Sequence, residues 1–205
     1  MTRRAFAAWC ASFAAVLLVG VGTAGAQSPE FKDEPDTHMA AAQESFIKGD
    51  MNASAEHIKK AATYVRGESS KVTKSASASL KKTADDLDKL SREVKKGSVK
   101  SADELKKSFA KADHALAKAW HETAATEQKA GRDSTNALSR AGSSLEGAAT
   151  WTGTQLEGGA RAAVDAAHSA GRTANQGVRM GKDAVGRAFR GIGDGIADIG
   201  RKISP

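Results

Sequence analysis

Cysteine is almost missing from this chain of 205 residues: the single one, Cys10, lies inside an apolar N-terminal stretch. Past that stretch there is no thiol at all, which excludes a disulfide scaffold, a thiolate metal centre and thiol catalysis together. Three prolines and 5% aromatics speak against a β-sandwich. Signatures of catalysis are equally scarce. No Gly-x-Ser-x-Gly occurs, and His121-Glu122-Thr123-Ala124-Ala125 offers one zinc ligand where a zincin helix needs two. His114 and His121 are seven apart and, if they share a helical face with Asp113, are expected to form a solvated or partly packed pair and not a metal site. Gly191-Ile192-Gly193-Asp194-Gly195 has neither the third glycine nor the preceding strand of a phosphate loop. Paired carboxylates such as Asp85-Asp86 and Asp103-Glu104 sit beside lysines on faces expected to be exposed or at a cap. No cofactor, no metal and no enzymatic activity are therefore expected.

Charge of one sign is also in short supply. The whole chain carries +7, and residues 27 to 205 hold 29 basic against 24 acidic side chains, a net of +5 spread along the sequence. That balance is too weak and too interleaved for a nucleic-acid footprint.

What the sequence does have begins at its N-terminus. Arg3 and Arg4 precede an apolar run from Ala5 to Val21, followed by Ala24-Gly25-Ala26. A basic flank, an apolar segment of this length and an A-x-A site together read as an export signal over residues 1–26. A retained membrane anchor, a lipidated Cys10 and a twin-arginine route are the weaker alternatives. The mature chain is expected to begin near Gln27 and to be periplasmic or secreted.

Composition then divides the rest. Residues 27–130 hold 17 Lys, two Arg and three Gly, whereas residues 131–205 hold two Lys, eight Arg and 14 Gly. Residues 27–36 read as a flexible leader, 37–150 as an antiparallel helical bundle and 151–205 as a Gly/Ala-rich amphipathic helical tail. The predicted class is all-α. Within the bundle, Asp36 is expected to cap a first helix carrying Met39, Ala42, Phe46 and Ile47, which Gly49-Asp50 ends. The seven-residue spacing of Met51, Ile58, Val65 and Val72, continued by Ala76, Leu80, Leu87, Leu90 and Val94, predicts one long helix from about 50 to 96 running past Gly67. Ser101-Ala102-Asp103-Glu104 opens the next helix, whose stripe of Leu105, Phe109, Ala112, Leu116, Trp120 and Ala124 runs to Gly131. Trp120 is expected in the core, Trp151 at the surface.

The tail carries the strongest pattern. Between Glu146 and Arg201 every charged residue but Lys182 falls in three classes of an 11-residue period, forming a charged stripe on a nearly straight helix. Taken as one helix, those 56 residues would span about 84 Å. The opposite side supplies the candidate interaction face: Leu156, Val178, Gly181, Val185, Phe189, Ile192, Gly195, Ile196 and Ile203. Each glycine costs a helix interior roughly 1 kcal/mol against alanine, so this helix needs something to hold it. Close packing through small residues four apart, Gly177 with Gly181 and Gly191 with Gly195, is one answer. A lipid surface is another, weakened by a stripe of seven basic and six acidic residues, and disorder in isolation is a third.

Several resemblances attach to these residues. Ala42, Phe46, Gly49, Asp50, Ala55, Ile58 and Ala61 resemble the inter-helix half of a tetratricopeptide unit, with Trp120, Ala124, Gly131, Ala137 and Ala141 as a second copy; the offset of 82 residues implies helical-hairpin geometry only. Through Gly49, Asp50, Glu56 and Ala61 the same segment resembles exported bacterial helical proteins of the YfdX type, which implies a stress-related or chaperone-like role. The tail's period is similar to the 11-residue repeats of apolipoproteins, synucleins and desiccation-protective proteins, though not its charge layout. Together these lead to an exported, non-enzymatic helical protein working in the envelope through its tail, on a protein partner or a second copy. The alternative is a peripheral protein whose tail folds on a membrane.

Overall fold

Stretches whose apolar residues recur at helical spacing become helices, and no strand forms among the described residues of the computed structural model, 34–174 and 181–204. The export signal and most of the leader lie outside those residues. Seven helices follow in order: α1 Glu34–Ile47, α2 Met51–Glu68, α3 Lys74–Lys95, α4 Ala102–Lys129, α5 Thr135–Trp151, α6 Gly158–Ala174 and α7 Lys182–Ile203. None of the described helices is long and apolar enough to cross a membrane. The all-α bundle read from the sequence is the fold observed.

Local chemistry sets the helix ends. Asp50 accepts a hydrogen bond from the Ala53 amide at 2.9 Å and caps α2, after Gly49 has turned the chain at φ 81°. Ser101 accepts from the Glu104 amide at 3.3 Å, and Glu104 reaches back to the Lys100 amide at 3.3 Å, one residue before the box proper. Gly97 and Gly131, also at positive φ, end α3 and α4. Asp50→Ala is expected to cost about 1 kcal/mol. Phe46, on the apolar stripe of α1, is only half-buried. Phe46→Ala should accordingly cost about 1–2 kcal/mol, below the 3–5 kcal/mol of a core phenylalanine; urea denaturation of the two variants measures both.

The predicted single helix over 50–96 is two. Between Glu68 and Lys74 the chain folds back, so α2 and α3 form a hairpin. Hydroxyls compete for the backbone there: Ser69 and Ser70 donate to the Arg66 and Gly67 carbonyls, and Thr73 accepts from the Ala76 amide as the cap of α3. Glu68 turns inward, 2% exposed, and is met by Lys71 Nζ at 2.7 Å and Arg140 Nη1 at 2.8 Å. Arg140 in turn lies 4.7 Å over the buried Trp120 ring. The regular spacing of Val65 and Val72 survives a turn because both sides of the hairpin face one core.

Helix α4 runs through the centre and touches α1, α3, α5 and α7. Its Leu105, Phe109 and Leu116 are buried with Met39, Ile58, Leu80, Leu138 and Leu145 from the surrounding helices. Trp151 does not stand at the surface. It is 5% exposed, packs edge-on to Phe109 with centroids 5.1 Å apart, and donates its indole N–H to Asp36 at 3.1 Å. The 11-residue phase that placed it outside belongs to the tail, whereas Trp151 closes α5. Asp36 is likewise no cap, since α1 already begins at Glu34 and the Asp36 carboxylate is buried under Trp151. Asp113, on α4, faces the same point from the other side, and both carboxylates lie within 3.0 Å of where a Cβ on Gly147 would sit.

Candidate interaction surface

The tail is not one extended helix. After α5 the chain turns at Gly153, φ 66°, and re-enters a helix at Gly158, φ 51°, so α6 and α7 fold back on the bundle. Glycine at positive φ costs nothing where any other residue is strained, and this ends the run that the 11-residue period would continue. The charged stripe persists within each piece: Arg161, Asp165, Arg172, Asp183, Arg187, Arg190, Asp194 and Arg201 are exposed. The small and apolar side turns inward.

On α7 that inner side is Ile192, Ile196, Ile199 and Ile203, with Val185 and Phe189 half-buried toward its start. It rests on α4, α5 and α6 together. Two glycines set the separation. A Cβ on Gly191 would stand 2.4 Å from Ala163 Cβ and 2.7 Å from the Gly159 carbonyl oxygen; one on Gly195 would stand 2.6 Å from Leu145 Cδ2 and 3.2 Å from Ala160 Cβ. The pair therefore works as small-xxx-small spacing does, bringing the α7 backbone onto α6 and α5.

The nine residues named for the interaction face divide accordingly. Ile192, Gly195, Ile196 and Ile203 come together as the buried contact of α7, with Val185 and Phe189 at its margin. Leu156 lies apart in the α5–α6 connection, half-buried against the core. Gly181 does not pack: it is the exposed N-cap of α7 with nothing within 4 Å of its Cβ position. Val178 and Gly177 lie outside the described residues. Ile199, fully buried, was missed, because the 11-residue step passes over it, while the ordinary 192, 196, 199, 203 spacing contains it.

His114 and His121 are partly packed and hold α7 from the α4 side. Nε2 of His114 is 3.0 Å from the Ile196 carbonyl oxygen, and Nε2 of His121 is 3.0 Å from that of Phe189. A carbonyl only accepts, so in both rings Nε2 carries the proton. His121 also stacks on the Phe189 ring, with centroids 4.0 Å apart. Burial holds the His114 imidazole below its ordinary range; its bond to Ile196 opposes that, and nearby Lys118 adds to it. Among the described residues no group of three or more His, Cys, Asp or Glu is placed to hold a metal.

No protein-family model, curated protein or solved structure matches this chain.

Proposed function

We propose that the chain is an exported, non-enzymatic helical protein that serves as an envelope interaction or stress-protective module, acting through its C-terminal amphipathic helix on apolar segments of other proteins. The observation that carries this reading is the construction of α7. It is sharply two-sided, with four isoleucines on its inner face. It also contains Gly186, Gly191, Gly193, Gly195 and Gly200, which make it a poor helix without a surface to lie on. Such a segment can exchange one apolar surface for another.

Two sets of substitutions test the reading with opposite signs. Gly195→Leu should loosen α7 while keeping its apolar face, and so should improve suppression of aggregation of a heat-denatured enzyme by the full-length protein. Phe189→Asp with Ile196→Asp also loosens α7 but removes the face, and should abolish suppression. Equal activity in both variants, or none in any form, would sink the proposal. Vesicles of neutral and of anionic phospholipid form the parallel arm: tight vesicle binding by the Gly195→Leu protein with no effect on the denatured enzyme would favour the lipid-associated alternative.

A further inference from the structure

The two histidines on α4 meet α7 in the same way twice. In an α-helix the carbonyl of residue i already accepts from the N–H of residue i+4, and the Cβ of residue i+4 stands beside it. At both places where a histidine reaches α7, residue i+4 is glycine. The Phe189 carbonyl is followed by Gly193, whose Cβ position lies 3.2 Å from His121 Nε2; the Ile196 carbonyl is followed by Gly200, whose Cβ position lies 3.0 Å from His114 Nε2. Each imidazole thus occupies the notch that a missing side chain leaves and donates to an oxygen with a second lone pair to spare. The histidines are seven residues apart on α4, and so are the carbonyls and the glycines on α7.

We infer that this pair of histidine–glycine notches is a latch for α7 with one acid-sensitive end: with His114 neutral it holds the helix on the bundle, and a second proton on that ring, taken at Nδ1 because Nε2 already carries one, loosens it by charge and frees the isoleucine face. This rests on the reading of α7 as the working face and adds its regulation. The surroundings of His114 set the direction. On its own helix Lys111 and Lys118 flank it, and from α7 Arg201 joins them around the same groove. Asp198, the acid of α7 between Ile196 and Gly200, is taken up by Arg201 at 3.1 Å and Lys202 at 3.3 Å, and no acid among the described residues lines the groove itself. Asp113, next in sequence, faces Gly147 and Asp36 instead. A proton on His114 therefore adds a positive charge to a half-buried basic groove. Its folded-state affinity for protons is depressed by that burial. Docking is thus fully present above the free imidazole value, about 6.5, and is lost as the pH falls through and below it.

Hydrogen exchange on the intact protein tests the latch. After correction for intrinsic exchange, opening of α7, which rests on α4, α5 and α6, should rise relative to the α2–α3 hairpin by up to about tenfold between pH 7.5 and 5.5, as uptake of one proton permits. His114→Gln keeps a neutral donor for the Ile196 carbonyl and should remove that dependence while α7 stays protected. Lys118→Gln, at an exposed position, removes part of the repulsion that the proton meets in the docked state and should shrink the rise. A constant ratio across the range, or an unchanged dependence in His114→Gln, overturns the proposal. If His114→Gln fails to fold by circular dichroism, an undiminished rise in Lys118→Gln overturns it instead. The failure of the functional reading looks different: acid release of α7 would persist, with no effect on denatured proteins at either pH.

Discussion

Gly147→Ala is expected to destabilise the protein by about 3 kcal/mol, although the same change in an open helix interior would stabilise by up to about 1 kcal/mol. The added methyl group would stand 2.7 Å from an Asp113 carboxylate oxygen and 2.8 and 3.0 Å from the two of Asp36. Neither carboxylate has room to give way: Asp36 is 3% exposed and bonded to the Trp151 indole, and Asp113 is fully buried. Moving either one displaces α1 or α4 from α5 and pulls on the Trp151–Phe109 contact. Gly67→Ala in α2, where a Cβ meets nothing within 4 Å, supplies the control of opposite sign. Urea denaturation of the two variants decides it; a stable Gly147→Ala protein would mean that the carboxylates do not meet over α5.

The second large effect is at the α7 contact. Gly195→Leu, and to a smaller degree Gly191→Ala, should cost about 1–3 kcal/mol or detach α7 outright, since their side chains would enter Leu145, Ala163 and the backbone at Gly159. Gly181→Leu, at the open N-cap, should leave stability within about 0.5 kcal/mol of the parent. The loss in the first two should appear first as exchange of α7 amides, with the α2–α3 hairpin still protected. Equal behaviour of Gly181→Leu and Gly195→Leu would show that α7 is not seated through its glycines.

Much of the fold lies in local pattern. The stripe of Leu105, Phe109, Leu116 and Trp120, the caps at Asp50 and Ser101, and the glycines at 49, 97 and 131 each act over one or two helical turns. Such signals can be read from the chain alone, and so can the all-helical class and the inward side of the tail. Long-range contacts are of another kind. Whether Val65 and Val72 share one helix or two depends on a turn made worthwhile by Glu68 reaching Arg140, 72 residues on. Periodicity is blind to that, because a hairpin and a straight helix can bury the same residues. Trp151 is buried by a carboxylate 115 residues earlier in the chain. The 11-residue stripe marked the right surface as charged, yet the length of the tail helix was settled by Gly153 and Gly158 and by the bundle that α6 and α7 find to lie on. Sequence by itself determined that the chain is helical and where most of the apolar stripes run, since both follow from neighbours three and four positions away. Only the tertiary structure decided where the helices turn back and which glycine notches receive a histidine, because those outcomes depend on groups that meet across 68 and 82 residues of chain.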